Sequence, residues 1–312
     1  MILAVDASAG VSGDMLLAGF LDLGLPLPRL QRILSDLGVS GVEVGLHRIA
    51  RGRDQALQVF FRKGTSASDI PNRGFELLQW VNQSRCDASI KRDALRVLNN
   101  LLRAEGAAHG VSWKRVILHQ LADLDTVVNI VGFCAGLAFF RVQAVYVSPI
   151  PVGPWHQDPH GQWKASPGPA TQWLLRDLIM DQRETRFEWT TPPGAALLST
   201  FGSHRPAPPF RLHKIGHGVG HRIYNGTRYK LVPGTVQQKA LRLLLGQPLS
   251  SCKRGKAMRH PLLATVLERY QGTRYKLVPG TALTYFDGRD FPFRGFIREE
   301  EKVTLDMTLG IH

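Results

Sequence analysis

The stretch Val116 to Gly132, VILHQLADLDTVVNIVG, constrains this chain most, because it sets a polar mouth directly against a long apolar run. His119, Asp123 and Asp125 fall within seven residues, and the apolar run is unbroken from Ile130 to Phe140, where Arg141 stops it. Eleven residues are too few to span a bilayer, so a buried helix is expected there. An imidazole and two carboxylates at the mouth of a buried element suit a divalent-cation site or a polar turn clamped by hydrogen bonds. Asp125-Thr126 also reads as a helix N-cap, since a carboxylate there accepts from otherwise unpaired first amides. For His119 the plain alternative is a hydrogen-bonded histidine at a strand end.

Upstream, Ile2 to Val5 ends at Asp6 and runs into Ser8-Ala9-Gly10-Val11-Ser12-Gly13-Asp14, then an apolar stretch to Leu23. This reads as strand, small-residue loop and helix. Glycines and serines there let backbone amides approach an anion at the positive end of the helix. No Gly-Lys-Ser/Thr follows and the spacing is not GxGxxG, so it is neither a P-loop nor a dinucleotide fingerprint. Asp14 equally fits the first helical turn, where a carboxylate is favoured. Leu30, Ile33, Leu34 and Leu37 mark a helical face stopped by Gly38. Val42–Leu46 and Leu57–Phe61 alternate as strands around the basic turn Arg51-Gly52-Arg53. A polar loop is expected over Lys63–Asn72, a long helix from Ile90 to His109 ended by Gly110, and a buried strand at Ala144–Val147.

The passage Ser148–Thr171, rich in proline and glycine, is expected to be a rigid wall with little regular structure, carrying His156 and His160. Thr190-Thr191-Pro192-Pro193-Gly194 turns into another helix. Lys214–Gly220, KIGHGVG, is a third glycine-rich segment, with His217 and His221 nearby.

The chain's net charge of +14 is unevenly placed: residues 203–312 hold 19 Lys+Arg against 7 Asp+Glu, leaving 20 against 18 for residues 1–202. The basic third therefore attracts phosphates, nucleotides or nucleic acid through its field, or else forms a solvated basic face. Three widely separated cysteines form no zinc or disulfide spacing, and the start MILAVDASAG has no basic n-region, so a cytoplasmic protein with no membrane segment is expected. The decamer GTRYKLVPGT occurs at Gly226–Thr235 and again at Gly272–Thr281, a local duplication rather than a solenoid. Residues 248–312 hold little apolar material for a core of their own, so this basic extension either packs on the first domain or stays loosely ordered.

Taken in order, DASAGVSGDMLLAGFLDLG, RAEGAAHG, HQLADLDTVVNIVG, SPIPVG with its later HG and PGPAT, TTPPGAALL and KIGHGVGHR resemble the LarC family of nickel-insertion proteins. The resemblance runs over Met1–Gln247, with Ala240–Gly246 as that domain's closing strand. It implies an α/β domain: a mixed sheet with flanking helices and glycine-rich strand-to-helix loops. It also implies delivery of nickel to pyridinium-3,5-bisthiocarboxylic acid mononucleotide, with CTP, bound with magnesium or manganese, consumed in activating the ligand. Lactate racemase-type apoenzymes then become partners, and a homo-oligomer is compatible. On this reading Ser12 and Asp14 are catalytic, with their loop holding the ligand's phosphate or a magnesium on it. Gly10, Gly13, Gly216 and Gly218 contact the nucleotide, and His119, Asp123, Asp125 and His160 form a transient metal site.

The chain departs from the family pattern in several places. Ile117, Gln120 and Asn129 stand where the family carries histidine, glutamate and aspartate. Lys63–Ser68 replaces a histidine-rich segment, Pro159 replaces a cysteine, and the acidic motif opening the family's nucleotide-binding C-terminal domain is not recognisable after Gln247. The competing reading is a non-catalytic relic that binds a nucleotide, nucleic acid or protein through its basic last third.

Overall fold

The computed structural model describes residues 1–51, 54–65, 70–117, 124–153, 156–157, 163–164, 167–183, 189–220, 223–224, 227–228, 240–249, 273–275, 282–285, 293–296 and 305–307. The chain divides into two compact units, Met1–Arg205 with Arg211–Gln247, and Pro206–Phe210 with Pro248–His312.

The first unit is built on a seven-stranded mixed sheet. Its strands are β1 (Ile2–Asp6), β2 (Val42–Arg51), β3 (Asp54–Lys63), β4 (Ala144–Val147), β9 (Gly202–Ser203), β10 (Phe210–Gly218) and β13 (Leu241–Pro248), in the order β2-β3-β10-β13-β1-β4-β9. β1 lies at the hub: it runs parallel to β4, with Ile2 opposite Ala144 and Val5 opposite Val147, and antiparallel to β13, with Ile2 opposite Gly246. Three short pairs stand outside the main sheet. β5 (Ile150–Val152) runs parallel to β8 (Met180–Gln182), β6 (His156–Gln157) antiparallel to β7 (Trp163–Lys164), and β11 (Ile223–Tyr224) antiparallel to β12 (Thr227–Arg228).

Helix α1 (Gly13–Leu23) buries nine of its eleven residues, because it has the sheet on one side and another helix on the other. Towards the sheet, Gly19 meets Leu241 and Leu243 of β13. Away from it, Leu17 and Phe20 fill the space opposite Gly132 and Gly136 of α5 (Leu124–Phe139). Phe20 also meets Phe133 edge-on, with ring centroids 5.1 Å apart. The expected buried helix is thus α5, with thirteen of its sixteen residues buried, as an element apolar on all faces must be. α4 (Ala88–His109) packs on α5, while α6 (Pro169–Leu175) and α7 (Pro192–Phe201) pack on α4.

Helix α2 (Leu27–Leu37) turns its expected leucine and isoleucine face inward and ends at Gly38 with φ 90°. Helix α3 (Gly74–Gln83) is not anticipated by periodicity, since it buries only Gly74, Leu77 and Val81. Similarly, the proline-rich passage carries β5 and α6 where little regular structure is expected; Pro169 sits in the first turn of α6, where its missing N–H costs nothing. The glycine-rich KIGHGVG is mostly the end of strand β10.

In the second unit, β14 (Thr273–Tyr275) pairs with β17 (Leu305–Met307), and β15 (Ala282–Tyr285) pairs with β16 (Phe293–Phe296), both antiparallel. The basic linker at 250–259 and the helical face expected at Leu262–Tyr270 lie outside the described residues. Among the described residues, no helix is long and apolar enough to cross a membrane.

Candidate functional site

The loop between β1 and α1 is pinned at both ends. At its start, Arg242 of β13 donates to Asp6 through Nε at 2.9 Å and through Nη2, while the Ser8 amide donates to the other carboxylate oxygen at 3.0 Å. Burial pushes the Asp6 carboxyl up, but Arg242 and Ser8 more than offset this and hold it below the ordinary carboxylate value. The next amide, Ala7 N–H, donates to Ser148 Oγ after β4 at 2.9 Å. Gly10 takes φ 94° and closes a turn through its N–H to Ala7 O at 2.8 Å, which explains glycine at that position. At the far end, Val11 N–H donates to Trp189 O at 2.7 Å and Thr191 N–H to Val11 O at 3.0 Å, tying the loop to the entry of α7. Gly194 is required there, since a Cβ would lie 2.7 Å from Val11 O.

Directly after the second anchor the chain presents Ser12 and Asp14, both half-buried. Ser12 occupies the N-cap position of α1 without capping it; its hydroxyl donates to Asp14 Oδ1 instead. Asp14 lies in the first turn, where the positive helix end favours its charge, and accepts from Met15 N–H at 2.9 Å. Opposite the pair stands Gly220: a Cβ there would lie 3.0 Å from Ser12 Oγ and 3.1 Å from both Asp14 oxygens. Gly220 is itself held by Gln58 Nε2, which donates to its carbonyl at 3.0 Å. Behind the turn, a Cβ on Gly13 would come 2.9 Å from Asn129 Cβ. Asn129 is buried, and its Oδ1 has no hydrogen-bond partner among the described residues. The result is a serine, a carboxylate and helix-terminal N–H groups in one turn, with the Asn129 amide of α5 behind it and the Gly220 backbone close in front. That set can hold a phosphate through its donors and a hard cation through its carboxylate.

Gly216 and Gly218 have a different setting. A Cβ on Gly216 would lie 2.2 Å from Gly19 O, and one on Gly218 only 1.9 Å from Met15 O. These glycines let the α1 backbone rest on β10, so helix packing accounts for them. Beside them, where β3 and β10 pair only at Gly218 opposite Leu57, the Asp22 carboxylate accepts from His217 N–H at 2.9 Å, taking the place of a strand partner. Burial pushes the Asp22 carboxyl up, yet hydrogen bonding to His217 and the Arg48 guanidinium at 3.4 Å bring it below the ordinary value.

Of the expected metal residues, His119, Asp123 and His160 lie outside the described residues. Asp125 is exposed in the first turn of α5; because the helix begins at Leu124, it sits one step inside rather than at the cap. Among the described residues, no three histidine, cysteine, aspartate or glutamate side chains gather where they could hold a metal ion. Sequence reasoning placed Ser12, Gly13 and Asp14 at the loop. It missed Gly220 as their neighbour, and it missed Asp6–Arg242 and Asp22–His217, whose partners lie far along the chain.

The sequence profile of the family described as "Nickel insertion protein" matches residues 3–242. Relatives bearing that family name include one from Geotalea daltonii, 32% identical over 81% of this chain and 63% of its own length. One from Roseiflexus castenholzii is 33% identical over 79% of this chain and 60% of its own length. Another, from Synechococcus sp. (strain JA-3-3Ab), is 35% identical over 70% and 55%. The chain therefore spans less than two thirds of the length of these relatives. No solved structure matches it.

Proposed function

The chain belongs to the nickel insertion protein family, and we propose that it inserts nickel into pyridinium-3,5-bisthiocarboxylic acid mononucleotide to form the pincer cofactor of lactate racemase-type enzymes. The observation that carries this reading is the turn that holds Ser12 and Asp14 together at the start of α1, with only a glycine, Gly220, set against them. In this role the Gly13 end of α1 and the Ser12 hydroxyl bind the ligand's phosphate, and Asp14 holds a magnesium or manganese ion on it. Asn129, where the family pattern has aspartate, keeps a hydrogen-bonding oxygen behind the turn without adding a second negative charge.

Nickel is cargo in this scheme. His119, Asp123, Asp125 and His160 form its transient seat. Imidazole and carboxylate donors hold nickel less firmly than a dithio ligand with a carbon donor, so transfer runs downhill towards the product. CTP serves as the co-substrate that activates the ligand. The supporting experiment is a binding titration of the mononucleotide ligand with D14N and S12A. Loss of ligand affinity with an unchanged melting temperature supports the assignment, and unchanged affinity in both variants refutes it.

A second reading rests on the +12 balance of residues 203–312, which suits a phosphate-rich partner. A steep loss of nucleic-acid affinity with rising salt, together with no ligand binding, would favour it.

A further inference from the structure

Four helices of the first unit end in the same way: a residue in the left-handed region, whose N–H bonds three residues back, followed by one whose N–H bonds five back. After α1 this residue is Gly24, after α2 Gly38 and after α4 Gly110, with φ of 108°, 90° and 66°. After α5 it is Arg141, with φ 51°, the only non-glycine residue at positive φ among the described residues. Its N–H donates to Ala138 O at 3.1 Å, and Val142 N–H to Leu137 O at 2.9 Å. Glycine is the favoured residue there, and a side chain in that conformation is strained.

This exception lines a groove. A cavity of about 430 Å³ lies between Arg92 and Arg96 of α4 and Arg141, with Val145 of β4 and Phe201 of α7 in its wall. Arg92 and Arg96 are one helical turn apart and share Asp93: Arg92 donates to it through Nε at 3.1 Å and Nη2 at 3.3 Å, and Arg96 Nη1 lies 3.6 Å away. Arg96 is further held by Thr200 O at 3.5 Å and by the Phe201 ring, 5.3 Å from its guanidinium carbon. The lining thus holds three arginines and one aspartate, which pairs with two of them, so the groove carries an excess of positive charge.

The location separates this groove from the Ser12–Asp14 turn. β1 and β4 run parallel, so the turn lies beyond their C-terminal ends, while the groove touches Ala144 and Val145 at the start of β4. We propose that this groove is a second binding site, for a phosphoryl anion. Planar guanidinium forks match phosphate oxygens in pairs, and the volume is that of a small-ligand site. A phosphoryl anion also relieves the repulsion among the three arginines and accounts for arginine at a position that favours glycine.

The test is calorimetric titration of the full chain with inorganic pyrophosphate and with a nucleoside triphosphate, at fixed salt. R141G is expected to lower pyrophosphate affinity by at least about tenfold while its melting temperature holds or rises, because glycine accepts the left-handed conformation. R92A is expected to weaken binding as well. K114A removes one positive charge from the separate turn Trp113–Arg115 and is expected to leave the affinity unchanged. Tighter binding of the triphosphate than of pyrophosphate identifies a nucleotide as the occupant, and equal binding identifies the phosphate groups alone. No binding of either ligand, unchanged affinity in R141G, or an equal loss in K114A would overturn the proposal.

Discussion

Substitution of Gly218 by alanine probes the contact on which the geometry of the candidate site depends. The added Cβ would lie 1.9 Å from Met15 O and 2.7 Å from Gly19 N, whereas Cβ atoms essentially never approach other heavy atoms within 3.0 Å. Both obstacles are backbone atoms in the middle of α1, so no side-chain rotation relieves them. The helix must move off β10 by more than an ångström, opening a gap beside a segment with nine buried residues of eleven. Such overpacking costs up to about 3 kcal/mol when backbone has to shift. For a unit of this size each kcal/mol lowers the melting temperature by roughly 2–4 °C, so G218A is expected to melt roughly 6–12 °C below the parent. The assay is differential scanning calorimetry of the full chain, beside G220A as a contrast. In G220A the Cβ approaches Ser12 Oγ and Asp14 at 3.0–3.1 Å, so this variant is expected to lose little stability and to weaken ligand binding. A G218A protein melting within about 2 °C of the parent would refute the packing argument.

D6N removes the half-buried partner of Arg242 and is expected to cost roughly 3 kcal/mol, measured by urea unfolding. The Asp6 carboxyl is held low in the folded state, so its contribution is present above the ordinary carboxylate value and is lost as pH falls through the folded one. Asp22 acts with the same sign. The parent should therefore lose stability steeply below about pH 4, and D6N should show a shallower acid limb; parallel limbs would contradict the assignment. H119A and D125A are each expected to abolish nickel binding, read by metal analysis of untagged protein, without loss of the far-ultraviolet helix signal. If D125A keeps its nickel and instead loses about 1 kcal/mol of stability, Asp125 supports only the start of α5.

The strand, small-residue loop and helix at the N-terminus were legible because each piece carries a local signal: an apolar run, paired glycines and serines, then helical spacing. α2 with Gly38 and α4 with Gly110 were legible for the same reason, and α5 announced itself through an apolar run that no half-exposed helix would carry. The packing role of Gly216 and Gly218 was not legible, because a glycine-rich run carries no local sign of what touches it. Here the glycines lie in a strand that a helix backbone touches, and only the tertiary contact reveals it. α3 was hidden by an inward face of three residues. β5 was hidden by Pro151, tolerated in a short two-stranded pair whose partner starts at Met180. Asp6 with Arg242 and Asp22 with His217 could not be read locally, since their partners are 236 and 195 residues away. Arg141 looked only like the end of an apolar run until its backbone conformation set it beside three glycines.

The measurement that bears most directly on the central claim is nickel transfer itself. The full chain, loaded with nickel, is incubated with the pyridinium bisthiocarboxylate mononucleotide, CTP and magnesium or manganese, and the small molecule is then separated and weighed by mass spectrometry. The parent chain is expected to form a product that carries one nickel, and D14N is expected to form none. Recovery of the unmetallated ligand from the parent chain, with nickel still on the protein, would contradict the claim.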